Sequence, residues 1–256
     1  MMLDQSMKVL FHKKFLEHNV DSDSEGAYRL LSFMDTYEAP NVIGEPYINL
    51  VHSERYIEYI REACLNGDYV AEVALTPASY EAACLAVGLT IRASEQGDFA
   101  VVRPPGHHAW REKASGFCFF NNMAIATQKL VNEGKRVFIF DIDGHHGDGT
   151  QSIFYDTDRV LYCSIHQHYA FPYPGFPDDT GSGAGLGYNH NFPLISGSGD
   201  KEFLAAVDCT GHGVPGAFMS FIGYTSLNKI VIEQGIYQPA EILNRLNQEV
   251  AHTLHQ

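Results

Sequence analysis

The residues best suited to chemistry crowd into Val137-Phe138-Ile139-Phe140-Asp141-Ile142-Asp143-Gly144-His145-His146-Gly147-Asp148-Gly149-Thr150. The opening run of β-branched and aromatic residues predicts a buried strand of a parallel sheet. Asp141, Asp143 and His145 follow at every second position, so strand alternation predicts that they share a face. A carboxylate and an imidazole at i and i+2, at the carboxyl end of a parallel strand, form half of a divalent metal site. The plain alternative is a core strand running into a solvated polar turn. Two acids and two histidines in one Gly-rich turn weigh against it.

A second cluster, Arg103-Pro104-Pro105-Gly106-His107-His108, follows another short apolar run, Phe99-Ala100-Val101-Val102. Two prolines and a glycine set a turn with adjacent histidines at its tip. Beside a metal half-site, His107 and His108 suit general base and acid work on a metal-bound water. Ser115-Gly116-Phe117-Cys118-Phe119-Phe120 then gives an apolar patch broken by glycine.

The elements that must position these groups alternate between strand and helix. Helices are predicted over 53–66, 79–95 and 121–134, the last stopped by Gly134, with a short one over 148–155 and a strand over 159–165. This alternation predicts an α/β fold, a parallel sheet flanked by helices, with the site at the carboxyl ends of its strands. Four glycines between Thr180 and Gly187 predict a flexible loop. An amphipathic helix is predicted after Pro239.

These motifs resemble the zinc-dependent histone deacetylase superfamily, which includes acetylpolyamine amidohydrolases and acetoin-utilisation proteins. The matching pieces are Arg-Pro-Pro-Gly-His-His at 103–108, Gly-Phe-Cys-Phe-Phe-Asn-Asn at 116–122, Asp-Ile-Asp-Gly-His-His-Gly-Asp-Gly-Thr-Gln at 141–151 and Ser-Ile-His-Gln at 164–167. The likeness runs over roughly residues 7–203 and implies an arginase/deacetylase-like fold. It implies Asp143 and His145 as ligands of a catalytic Zn2+, and His107 and His108 as the catalytic pair beside the metal-bound water. Asp141 and Asp148 would orient those two histidines. Gly116 would offer backbone contact to substrate, and Phe117 would wall a narrow acyl tunnel with Glu72 at its rim. Asp141, Asp143, His145 and Ser164 would sit near a structural monovalent cation, K+. The implied reaction is deacetylation of an acetyl-lysine peptide or a small acylated amine such as an acetylpolyamine.

Two pieces of the family pattern have no match. The third zinc ligand, an Asp in a Gly-Phe-Asp segment, and the oxyanion Tyr of a late Gly-rich loop are not found, so the sheet is expected to be incomplete on its C-terminal side and activity is expected to be weak. Ala205-Ala206-Val207-Asp208-Cys209-Thr210-Gly211-His212-Gly213 instead resembles bacterial metal-dependent serine phosphatases of the sporulation type, with Asp208 as a metal carboxylate. The expected organisation is a deacetylase-like domain over 1–204 and a mostly helical phosphatase-like tail over 205–256, a chimeric product. Alternatives are a non-catalytic metal- or acyl-binding remnant and a serine phosphatase fragment.

Composition agrees with a globular chain: 45% of its 256 residues are hydrophobic, enough to build a core. No apolar stretch is long enough for a membrane span and the first residues do not form a signal peptide. Five widely spaced cysteines predict buried thiols in a reducing cytoplasm. A net charge of −14 disfavours direct nucleic-acid binding. It mildly favours cationic substrates, and solubility alone explains it as well. Oligomeric state is not legible.

Overall fold

Short strands packed by long helices follow from where this chain places its turn residues. In a computed structural model, residues 7–20, 22–33 and 42–209 and positions 241 and 245 are described. The first strand, β1 (Val9–Leu10), leads into a single helical turn, α1 (Lys14–Glu17). Helix α2 (Glu54–Asn66) begins at Ser53, whose hydroxyl accepts the Tyr56 N–H, and ends at Gly67 with φ +75°. Both ends fit ordinary capping chemistry. A small antiparallel ribbon, β2 (Tyr69–Val70) with β3 (Val73–Ala74), leads into α3 (Pro77–Gln96). Thr76 and Ser79 form a reciprocal capping box there, and Pro77 occupies the first turn. The Ala-rich face of α3 packs on α1, α2 and the next long helix, α4 (Asn122–Asn132).

The parallel strands come in two groups. β1 pairs with β4 (Phe99–Ala100). The other group is β5 (Val137–Asp141), β6 (Val160–Gln167) and β7 (Asn189–Leu194), in that order and all parallel. Helix α5 (Asp148–Phe154) crosses from β5 to β6, and α6 (Asp200–Cys209) follows β7. The expected α/β architecture and, among the described residues, its helices are present, with boundaries moved by at most two residues. Asp208 lies on α6, and the Gly-rich residues after it, like the amphipathic segment after Pro239, fall outside the described residues.

Two expectations need correction. β5 is not buried on both faces: Phe138 is 53% and Phe140 39% exposed. The apolar run reports what a strand would bury, whereas among the described residues β5 pairs with β6 alone. The glycines at 181–187 are not a loose loop. They hold a 3-10 turn at Gly183–Gly185, and a Cβ on Gly181 would stand 2.0 Å from the Gly185 carbonyl oxygen.

A buried cation ties α1 and the loop after it to the turn that carries the histidines. Arg103, 2% exposed, places its Nε 2.9 Å from a Glu25 carboxylate oxygen and donates to the carbonyls of Phe15, His18 and Glu25. Neighbouring His18, fully buried, is pushed down to about 3 by desolvation and by the Arg103 charge, so it is neutral against the Ser79 hydroxyl. Removing the guanidinium leaves the buried Glu25 carboxylate with only the exposed Arg29 at 3.6 Å and strips the Phe15 and His18 carbonyls of that donor. Arg103→Met is therefore expected to cost about 3–5 kcal/mol in urea unfolding. A loss below about 1 kcal/mol would mean that Glu25 is solvated after all.

Candidate active site

The chemistry-bearing side chains meet where β4 and β5 end. Gly106 allows the first approach: a Cβ there would lie 2.2 Å from Asn122 Oδ1. Asn121 braces the same turn, capping α4 through its Oδ1 and donating from Nδ2 to Ala109 O and Thr150 Oγ1. His52 Nε2 accepts the Asn121 N–H while its Nδ1–H donates to Arg111 O. Burial pushes His52 down to about 4, so it works as a neutral bracket.

Two histidine–carboxylate pairs result. His107 Nδ1 lies 3.0 Å from Asp141 Oδ2, and His108 Nδ1 lies 2.8 Å from Asp148 Oδ1. The rings are 4.0 Å apart at their centroids. Burial opposes charge on both. On His107 the Asp141 carboxylate, backed by Asp143 and Asp148, outweighs burial and raises the pKa. On His108 burial, helped by repulsion from His107, wins over Asp148 and lowers it. Burial would raise Asp141, but its bonds to His107, the Asp143 N–H and the Tyr162 hydroxyl hold it below the usual carboxylate range.

Asp143 and His145 do come together, although not by strand alternation. β5 ends at Asp141, and the three residues are gathered by successive side-chain-to-backbone turns. The Asp143 N–H donates to Asp141 Oδ1 at 3.1 Å, and the His145 N–H donates to Asp143 Oδ1 at 2.8 Å. His145 Nδ1 lies 3.1 Å from the same oxygen, and both side chains are about half exposed, at 55% and 52%. As donor types, a carboxylate and an imidazole suit zinc. Among the described residues no third His, Cys, Asp or Glu completes a metal-binding group with them. Two donors do not fit a catalytic zinc, which takes three from protein.

Around these groups lies a cavity of about 680 Å³. Glu72, Phe117 and Phe171 line it together with His107, His108, Asp143 and His145. Glu72 does more than mark a rim: its Oε2 accepts the Gly116 N–H at 2.7 Å, so that N–H is engaged within the protein. Ser164 stands opposite Asp141 in the β5–β6 register, but its hydroxyl is bonded to His166 Nδ1 at 2.9 Å.

Sequence reasoning missed four residues here. Trp110 Nε1 donates to Asp148 Oδ2 at 2.7 Å, and the Tyr162 hydroxyl donates to Asp141 Oδ2 at 3.1 Å. Phe171 packs its edge against His108, 5.0 Å between centroids. Gln151 Oε1 accepts from His146 Nε2, Asn189 Nδ2 and Asn191 Nδ2, joining the site loop to β7. A signal existed for Trp110, the single tryptophan of the chain, two residues beyond His108. Another existed for Tyr162, since a tyrosine in a core strand needs an acceptor for its hydroxyl.

Comparison with known proteins follows the same geometry. Residues 18–219 match the histone deacetylase domain model. The chain is 35% identical over 223 residues to a probable deacetylase of Archaeoglobus fulgidus, covering 78% of this chain and 62% of that one. It is 50% identical over 122 residues to acetylpolyamine amidohydrolase 1 of Pseudomonas aeruginosa, covering 46% of this chain and 35% of that one. The crystal structure of the HDA15 HD domain superposes with a TM-score of 0.73 at 30% identity, covering 81% of this chain and 69% of that domain. The chain thus spans less than two thirds of the length of these two curated relatives.

The raised His107 and lowered Asp141 give a signed prediction. Asp141 contributes stability above the ordinary carboxylate value of 3.8, and this is lost as pH falls through its depressed pKa. His107 contributes below the ordinary imidazole value of 6.5, and this fades as pH rises through its raised pKa. The pair therefore stabilises most between those two values. Asp141→Asn is expected to lower the His107 midpoint in an NMR titration, and an unchanged midpoint would remove the pairing. Trp110→Phe takes a charge-assisted donor from Asp148 and is expected to cost about 1.5–3 kcal/mol in denaturant unfolding. No loss would mean that the indole N–H is dispensable.

Proposed function

The chain belongs to the histone deacetylase family, and on that premise we propose that it carries the proton-transfer half of a zinc-type deacetylase site, directed at acetyl-lysine peptides or acetylpolyamines. One observation carries the reading: two adjacent histidines, each held by its own carboxylate, line one cavity with Asp143 and His145.

The two dyads suit opposite roles. His108 has a lowered pKa and is neutral near pH 7, with Nδ1 turned to Asp148 and Nε2 left for the cavity. That is the state of a general base. His107 has a raised pKa, favouring the imidazolium, with Nδ1–H donated to Asp141. That is the state of a group able to return a proton to a leaving amine. Second carboxylates of this kind fix tautomer and ring orientation. Phe117 and Phe171 offer apolar walls for an extended acylated chain. Asp143 and His145 supply two donors where the family's zinc takes three, so weak turnover by these 256 residues alone is part of the proposal.

Hydrolysis of an acetyl-lysine peptide and of an N-acetylated diamine, measured side by side, tests this. His108→Ala is expected to reduce any turnover by about 10²–10⁴-fold. Unchanged turnover in that variant would overturn the dyad mechanism. Tight binding of a hydroxamate inhibitor with no turnover by the unaltered chain would replace it with an acyl-binding role.

A further inference from the structure

We propose that Gln151 is a positioning residue for the cavity. By gathering β7 and the segment 168–179 around one carbonyl oxygen, it sets where the Phe171 ring stands against His108. The role rests on the deacetylase reading above, whereas the placing of the ring is observable without turnover.

Apolar burial does little to hold the segment that follows β6. Tyr169, Tyr173 and Phe176 are 74%, 68% and 46% exposed. Tyr169 and Tyr173 also take left-handed backbone, with φ +56° and +79°. Residues with a Cβ adopt it at a cost that their surroundings must impose. The backbone bonds within the segment are local: the Tyr173 N–H donates to Ala170 O, and the Asp179 N–H donates to Phe176 O. Phe171 is the aromatic of this segment that lines the cavity, with its edge on His108.

Three buried side chains hold the segment instead, each through a carbonyl. His166 donates from Nε2 to Gly175 O at 3.1 Å, while its Nδ1 takes the Ser164 hydroxyl. Asn191 Nδ2 donates to Phe176 O at 3.3 Å, and Asn189 Nδ2 donates to Asp179 O. A carbonyl oxygen only accepts, so these bonds fix the His166 tautomer and the sense of both amides. Gly175 is required for the approach: a Cβ there would stand 2.6 Å from His166 Nε2 and 2.7 Å from His146 Cγ.

Gln151 joins these anchors to the site. Asn189 and Asn191 alternate along β7 and so share a face. Both donate from Nδ2 to Gln151 Oε1, at 2.9 and 2.7 Å, and His146 Nε2 donates to the same oxygen at 3.0 Å. Gln151 lies on α5, one turn beyond Asp148, and residues three apart neighbour each other on a helix. Asp148 holds His108 through Nδ1. Both partners of the His108–Phe171 contact are therefore placed from α5, His108 by Asp148 and the Phe171 segment by Gln151.

NMR of the histidine ring protons on the full chain tests this, with Phe171→Leu supplying the His108 signals of a site without that ring. Gln151→Met keeps the side-chain length and removes the acceptor. It is expected to move the His108 signals more than half of the way to their Phe171→Leu values. Gln151→Glu keeps an oxygen for the three donors and is expected to leave them in place. His18, bonded to Ser79 Oγ at 2.7 Å and packed on Phe119, is the internal control and is expected to stay unmoved. Asn191→Leu releases Phe176 O and one donor of Gln151, and it carries the same expectation if Gln151→Met does not fold. With an acetylated substrate, Gln151→Met is expected to raise KM severalfold while kcat falls less than about twofold, because a wall contacts ground state and transition state alike. Unmoved His108 signals in a folded Gln151→Met or Asn191→Leu chain, or equal movement in Gln151→Glu, would overturn the proposal. A fall in kcat at unchanged KM would overturn it equally. Absence of turnover with the His108 signals moving as expected would overturn the deacetylase reading alone and uphold the placing of Phe171 by Gln151.

Discussion

The rest of the site depends on the Asp141 carboxylate at the end of β5. Its Oδ2 takes His107 Nδ1 and the Tyr162 hydroxyl, and its Oδ1 takes the Asp143 N–H. One side chain thus joins the turn after β4, the middle of β6 and the start of the Asp143–His145 loop. Gly147 is required by the same crowding, since a Cβ there would stand 2.3 Å from Asp141 Oδ2 and 2.6 Å from the Tyr162 hydroxyl. A buried carboxylate is costly unless its oxygens are all engaged. Here they are, and the cost of burial is met by fixing three segments around one point.

From that point two different imidazole environments arise from the same residue type. His107 faces a carboxylate held low by several donors, and its charge is favoured. His108 is set deeper, against Phe171 and beside the favoured charge of His107, and its charge is disfavoured. Neighbouring groups whose surroundings push their pKa values apart divide acid and base roles. Asp143 and His145, by contrast, sit half exposed and bonded to each other, without a third donor among the described residues. The site is closed around its two histidine–carboxylate pairs, while Asp143 and His145 stand at its open, half-exposed side.

Much of this was legible in the residues. Ser53 marked the start of α2, because caps are local chemistry, whereas α3 begins at the Thr76-Pro77 cap, two residues before the expected start at Ser79. The grouping of Asp141, Asp143 and His145 could be read from spacing, although turns rather than strand alternation bring it about. The Trp110–Asp148 and Tyr162–Asp141 bonds join positions 38 and 21 apart, and no local pattern specifies which distant acceptor a donor finds. The exposure of Phe138 and Phe140 was illegible for a different reason. Apolar patterning records what a strand is able to bury, and whether neighbours exist to cover it depends on the rest of the sheet.

The most direct test is zinc per chain by elemental analysis, on protein purified without chelator and equilibrated with low-micromolar zinc. Two donors predict a ratio well below one, because a protein zinc site needs at least three ligands to hold the ion firmly. A ratio near one, lost in His145→Ala, would contradict the two-donor site and place a third ligand within these 256 residues.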